Sequence, residues 1–277
     1  MKQDSELKNA TDYSKGMIDA AYVVLGEIVN LLGQYEDNIR IVGGWVPMLL
    51  FPDSGHIGSI DVDILINQNQ IKKAESYENI KTILLRNGYF KHPQKFFTFV
   101  KTIEINKVKY DVDVDFLSGK YGGDEGNRSK HVDGIKTLPA TGGNFAFDFP
   151  PEEVVINYQR SDGAFDTGHV KVTSIIPYLV MKTSALGRGK TKDAYDIYHC
   201  IKHYEGGVKK LVEEMLPFKD KELIKKMIIK LGEKFASVNH SGPVDIVNFR
   251  GDTNIESINQ IKQDVYQRIN YIINHMK

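Results

Sequence analysis

The sequence predicts an α/β (α+β) protein: a mixed β-sheet flanked by helices over residues 1–173, then a helical C-terminal domain over residues 174–277. Three observations carry that prediction. Asn38 to Val42 reads as a strand that breaks at Gly43-Gly44 and opens a short helix, followed by a second strand, Ile60 to Ile66. Phe96 to Ile105 and Val108 to Leu117 alternate on either side of Asn106-Lys107, the pattern of a β-hairpin. Near residue 174 the apolar spacing becomes helical.

Taken in order, Thr11-Asp12 can cap a helix running to about Leu32, with Ala20, Ala21, Val24, Leu25 and Ile28 on its apolar face and Gly33 ending it. Trp45 to Phe51 is a short helix that tolerates Pro47 in its first turn and stops at Pro52. The strand Ile60 to Ile66 is apolar except for two aspartates, as expected of a central strand. Gln68 to Arg86 reads as one helix closed by Asn87-Gly88. Ser118 to Thr141, rich in Gly, Lys and Asp, reads as a surface loop able to rim a site. Asn144 to Phe149, Val154 to Ile156 and His169 to Thr173 read as short strands. Ser174 to Leu186 and Lys192 to His203, the latter with Thr191 as N-cap, are helices. Val208 to Met215, Lys219 to Ala236 and Glu256 to Met276 complete the helical part.

Composition bounds the function. At 277 residues the chain can form one large domain or two modest ones. Lys plus Arg and Asp plus Glu both total 36, so the net charge is zero. That argues against a bulk electrostatic grip on nucleic acid and leaves a local basic groove open. A single cysteine, Cys200, excludes a disulfide framework and points to a reducing, cytoplasmic compartment. The polar N-terminus has no signal-peptide pattern. The longest apolar run, Ile175 to Met181, contains Pro177 and is too short to span a bilayer, so no membrane association is expected.

The chemistry concentrates on the aspartates. Strand side chains alternate, so Asp61 and Asp63 project from one side. Asp111, Asp113 and Asp115 likewise share one face of the return strand, with Val112, Val114 and Phe116 on the other. Adjacent carboxylates repel, and a divalent cation is the simplest offset. Two carboxylates on one strand and a third on its neighbour can hold a pair of Mg²⁺ or Mn²⁺ ions roughly 3.5–4 Å apart, an arrangement suited to in-line displacement at phosphorus. A glycine turn opening a helix presents backbone N–H groups to phosphate oxygens, and Ser59 can add a hydroxyl. A Gly-Gly pair alone is usually just a tight turn, and an Asp-x-Asp pair alone is usually solvated. The combination of strand, Gly-Gly, helix and strand with Ser-x-Asp-x-Asp is much more specific.

Gly43-Gly44, Asp61-Val62-Asp63 and a later aspartate resemble the pattern of the nucleotidyltransferase superfamily (DNA polymerase beta-like). The late position is Asp115 or Asp113. Asp115, before Phe116-Leu117-Ser118, looks most like it, while Asp111 reads as a solvated residue at the start of the strand. A second stretch, Met181 to Ile197, reads as Lys-x-x-Ala-Leu-x-Arg-x-Lys-x-x-Asp-x-x-Asp and looks like the signature of the AbiEii/AbiGii toxin-like nucleotidyltransferases. That resemblance places Lys182 and Asp193 in the active site with Asp196 in support, and makes Arg188 and Lys190 candidate phosphate contacts. A salt bridge between neighbouring helices would account for Lys182 and Asp193 equally well. The resemblance covers roughly residues 38–200.

What it implies is Mg²⁺- or Mn²⁺-dependent transfer of a nucleoside monophosphate from an NTP to a hydroxyl, with release of pyrophosphate. Asp61, Asp63 and Asp115 or Asp113 would be the metal ligands, with Gly43, Gly44, Ser59, Lys182 and Arg188 on the nucleotide. The implied acceptor is RNA such as tRNA, or a protein, and the implied partner a cognate antitoxin. Gly-Gly-Trp before the Asp-x-Asp strand also resembles antibiotic nucleotidyltransferases of the lincosamide type, which makes a drug the alternative acceptor. A non-catalytic nucleotide-binding module is the reading from a different class. A metal-dependent nuclease fits less well, having no triphosphate for the glycine turn to hold.

Overall fold

The computed structural model describes residues 7–71, 78–120, 130–160 and 162–277. It contains a mixed β-sheet flanked by helices and a run of C-terminal helices, the predicted fold class. The described residues divide into two compact units: those within 14–50 and 57–178, and those within 7–13, 51–56 and 179–277.

In the first unit, α1 (Lys15–Leu31) starts later than predicted, because Ser14 is its cap and accepts the amide of Met17 at 3.3 Å. Asp12 instead closes its own turn, its carboxylate accepting the amides of Lys8 and Asn9. β1 (Ile39–Val42) leads through a single turn at Gly43–Trp45 into α2 (Val46–Leu50). β2 (Val62–Ile66) begins two residues later than predicted, which leaves Asp61 in the bend that feeds it. The predicted helix from Gln68 to Arg86 is present as α3 (Gln68–Ile71) and α4 (Ile80–Arg86), with residues 72–77 of that reading outside the described set. β3 (Phe90–Lys91), β4 (Thr98–Ile105) and β5 (Val108–Lys120) follow.

The loop expected over Ser118 to Thr141 is partly sheet. β5 runs on to Lys120, and β6 (Lys130–Val132) and β7 (Ile135–Thr141) form a further hairpin; residues 121–129 of that reading lie outside the described set. Its Gly and charged content hid alternation in which Ile135 and Thr137 turn inward. Asn144 to Phe149 is not a strand: α5 (Gly143–Ala146) occupies it, started by Gly142 in the left-handed region. The alternating phenylalanines suggested a strand, but Phe145 and Phe149 meet edge to face across a helical turn, 4.9 Å apart. β8 (Glu152–Gln159) and β9 (Phe165–Val172) pair as an antiparallel hairpin.

The strands run in the order β3-β4-β5-β2-β1-β9-β8, with β7 parallel to the far end of β5. β2 is central, antiparallel to β1 and parallel to β5. Val62, Ile64, Val112, Val114 and Phe116 are buried on one face, where α1 packs. Gly16 and Gly26 of α1 leave room there for the rings of Tyr110 and Tyr158.

α6 (Ile175–Ala185) carries the chain into the second unit. There α7 (Thr191–His203), α8 (Gly207–Met215), α9 (Glu222–Lys234), α10 (Ser241–Arg250) and α11 (Ile255–Met276) pack on one another around Ile197, Ile201, Leu211, Ile224, Phe249 and Ile269. Thr191 is the first residue of α7 and not its cap; its hydroxyl donates to the carbonyl of Lys8 at 2.9 Å. Helix α10 has no counterpart in the sequence reading, since Gly242, Pro243 and Asn248 dilute its apolar spacing. Among the described residues no helix is long and apolar enough to cross a membrane.

Candidate active site

The first unit builds a row of side chains across its sheet. β2 pairs Asp63 with Val42 of β1 on one side and with Asp115 of β5 on the other. β5 in turn pairs Asp115 with Thr98 of β4. Register partners project to the same face, so Asp63, Asp115 and Thr98 line up opposite the α1 side. Asp113 stands one step back along β5 on that face, and Asp61 lies two residues before Asp63.

The glycine turn closes against this row. Gly43 has φ +71°, and a Cβ there would lie 1.8 Å from Asp63 Oδ2 and 2.6 Å from its Cγ. The Asp63 carboxylate therefore rests on the bare α-carbon of Gly43, which no other residue type allows. Gly44 is buried in the same turn. Trp45 is fully buried, 5.5 Å from the ring of Tyr22, and its indole N–H donates to the main-chain oxygen of Asp61 at 2.7 Å. Trp45 thus fixes the bend that carries Asp61. Ser59 is buried and donates to Asp61 Oδ1 at 2.6 Å, orienting that carboxylate.

The remaining acids are distinguished by their partners. Thr98 donates its hydroxyl to Asp115 Oδ1 at 2.6 Å. Burial, with Asp61 and Asp113 nearby, pushes the Asp115 carboxyl up to about 7 against the opposing pull of Thr98 and Lys95. Asp113 is paired with Lys95, Nζ to Oδ2 2.7 Å. Asp111 is exposed and accepts from the hydroxyl of Thr102 at 2.6 Å, as a solvated strand residue would. Lys95 and Thr98 were not singled out from the sequence. Thr98 was available by counting: with Asn106-Lys107 as the turn, the residue opposite Asp115 is Thr98. Lys95 follows from it, three residues upstream of that partner.

Carboxylate and hydroxyl oxygens alone make up this row, a donor set that suits Mg²⁺ or Mn²⁺ over softer metals. Among the described residues no three His, Cys, Asp or Glu side chains are already gathered as a metal-binding group. The carboxylates are instead turned to Ser59, Thr98 and Lys95.

In the second unit, Lys182 of α6 bonds Asp193 Oδ1 at 2.8 Å and Asp196 Oδ2 at 2.8 Å, both from α7. Lys192 bonds both oxygens of Asp196, and His56 Nε2 lies 2.9 Å from Asp196 Oδ1. Asp196 is wholly buried. Burial alone would raise its carboxyl, but Lys182, Lys192 and His56 outweigh it and hold the group well below the usual carboxylate range. His56 is buried in this cluster, with its ring stacked on Tyr195 at 5.3 Å. His199 stands edge-on to His56 at 4.8 Å, and its Nε2 lies 2.6 Å from Ser54 Oγ. Ser54 spends its proton on the carbonyl of Phe51, so His199 is the donor of that pair and Ser54 is no activated nucleophile. Arg188 is exposed in the Gly187–Gly189 turn, and Lys190 immediately precedes α7. Cys200 is fully buried, and burial pushes its thiol well up, which fits a structural role.

No protein-family model matches the sequence, and no curated protein matches it. Two solved structures align over most of the chain. JHP933 from Helicobacter pylori has 12% identity and a TM-score of 0.40, covering 95% of this chain and 94% of that one. A candidate nucleotidyltransferase from H. pylori has 12% identity and a TM-score of 0.41, covering 95% and 97%. Likeness of that degree carries no functional argument, which rests on the site alone.

Proposed function

We propose that this chain is a metal-dependent nucleotidyltransferase, moving a nucleoside monophosphate from an NTP to a hydroxyl acceptor and releasing pyrophosphate. The observation that carries the reading is the contact of Asp63 with the α-carbon of Gly43, in a row with Asp115. It joins a carboxylate site to a glycine bend whose amides can approach a phosphate chain closely. Asp61, Asp63 and Asp115 would hold the divalent ions, which supply charge neutralisation of the triphosphate and acidify an acceptor hydroxyl. The protein's own part is orientation. Ser59 and Trp45 fix Asp61, Thr98 fixes Asp115, and Gly43 lets the backbone come within reach. Asp115 takes the late position, with Asp113 held by Lys95 beside it. The roles that the resemblance gives Lys182, Asp193 and Arg188 are supported by the motif alone.

The toxin-like resemblance suggests an RNA such as tRNA, or a protein, as acceptor, with an antitoxin as cognate partner. Incubation with each labelled NTP and Mg²⁺, against bulk RNA, a protein extract and a panel of aminoglycosides and lincosamides, tests this. Label should pass to one acceptor class with stoichiometric pyrophosphate. Asp61→Ala should abolish transfer and keep the wild-type thermal transition. Undiminished transfer in that variant ends the catalytic assignment, and nucleotide binding without pyrophosphate from any acceptor makes the protein a non-catalytic nucleotide-binding module.

A further inference from the structure

Lys95 stands out because a lysine is placed, by construction of its loop, against the acids of the row. The segment between β3 and β4 is tied at several points. The amides of Gln94 and Lys95 donate to His92 Nδ1 at 3.1 and 3.0 Å. The amide of His92 donates to the carbonyl of Thr98, and that of Thr98 to the carbonyl of Lys95. Thr98 itself holds Asp115. The loop that presents Lys95 is therefore registered on the same residue that orients a carboxylate of the site. Its ammonium is 2.7 Å from Asp113 Oδ2 and feels the charges of Asp115 and Asp61 as well.

We propose that Lys95 is the resident counter-ion of the acidic row, a positioning residue that opposes divalent-ion binding before nucleotide arrives and favours the anionic triphosphate afterwards. The proposal rests on the nucleotidyltransferase reading of the site. Its logic is one of sign. A fixed positive charge beside three carboxylates repels an incoming divalent cation and attracts an incoming polyphosphate. It discourages metal from settling without substrate, and couples metal binding to NTP binding. Lys95 is about one-third exposed, its side chain at 34%, so the ammonium can move between Asp113 and a phosphate without unpacking a core.

Calorimetry with Mn²⁺ alone, then with NTP and Mn²⁺ together, tests the sign on the full chain. Lys95→Met should bind Mn²⁺ alone on the order of tenfold more tightly than wild type. The same variant should bind NTP in the presence of Mn²⁺ on the order of tenfold more weakly, and raise KM for NTP more than it lowers kcat. Lys95→Arg, which keeps the charge, should restore both affinities. A purely structural ion pair would move neither, so Lys95→Met binding Mn²⁺ no more tightly than a wild type that does bind it overturns the counter-ion role and leaves the transferase standing. A wild type that binds no Mn²⁺ even with NTP present, or whose Mn²⁺ binding with NTP is unaffected by Asp61→Ala, overturns the site and Lys95's role with it.

Discussion

A carboxylate oxygen placed where a side chain would otherwise begin leaves Gly43 no substitute. Alanine there meets Asp63 Oδ2 at 1.8 Å and must also hold φ near +71°. The backbone strain alone costs about 1–2 kcal/mol, and the clash adds to it or displaces Asp63. Gly43→Ala should lower the thermal transition by the equivalent of about 2–3 kcal/mol and remove pyrophosphate release. A variant that releases pyrophosphate at the wild-type rate would show that Asp63 needs no glycine beside it. Asp115 illustrates the stability such a site forgoes. Its folded-state carboxyl is raised to about 7, first by burial and then by Asp61. A raised carboxyl contributes stability below its unfolded value near 3.9 and loses it as pH climbs through 7. Asp115→Asn should therefore raise the stability of the metal-free protein at pH 8 by about 1–2 kcal/mol, flatten its decline between pH 5 and 8, and abolish transfer. At this scale the sequence disclosed the aspartates and glycines, because alternation assigns faces without any fold. It could not disclose that Ser59 and Trp45 serve Asp61, since both contacts depend on the bend between α2 and β2.

Among the elements, the β4–β5 hairpin was the most legible and positions half the site. Asn106 and Lys107 both take positive φ, 51° and 66°, the signature of a tight turn whose twist matches the strands. That turn fixes a register in which Thr98 faces Asp115 and Val100 faces Asp113. Asn tolerates the left-handed region, whereas Lys does so at a cost. Lys107→Gly should stabilise the protein by about 0.5–1 kcal/mol in chemical denaturation with no change in transfer, since the turn is exposed. A loss of stability would mean that the lysine side chain itself holds the turn. The less legible elements share a cause. α5 alternates phenylalanines like a strand, and α10 is diluted by glycine, proline and polar residues. In α5 the contact of Phe145 on Phe149 one turn later, and in α10 the tertiary contact of Tyr13 on Phe249, settle what the apolar spacing leaves open.

At the level of the whole molecule, neutral net charge conceals a concentration of buried charge. The first unit gathers its acids on a sheet face, and the second buries Asp196 with Lys182, Lys192 and His56. The change from strands to helices near residue 174 was readable from periodicity, but the membership of residues 51–56 in the second unit was not. His56, which lies in that excursion, is bonded to a residue 140 positions later, and no local pattern announces so distant a partner. The excursion has a consequence for acid stability. His199 is lowered to about 3, first by burial and then by His56 and His203, with Lys202 adding to the effect and Asp196 opposing it. His56 is lowered too, chiefly by burial and despite its bond to Asp196. Unfolded histidine takes its proton near 6.5, while folded His199 refuses it until far lower, so falling pH favours the unfolded chain across that window. The histidine contribution to stability is full above pH 6.5 and drains as pH drops towards 3, with His199 accounting for about 1–2 kcal/mol of the loss by pH 5. The low carboxyl of Asp196 adds a further loss only once pH falls below the unfolded value near 3.9. In an Asp115→Asn background, which removes the carboxyl that acts in the opposite sense over this window, thermal denaturation from pH 8 to 5 should therefore show a decline beginning near 6.5, and adding His199→Asn, which keeps a donor for Ser54, should flatten it. An equally steep decline in the variant would locate the sensitive protons elsewhere and separate the histidine ladder from the acid lability of the protein.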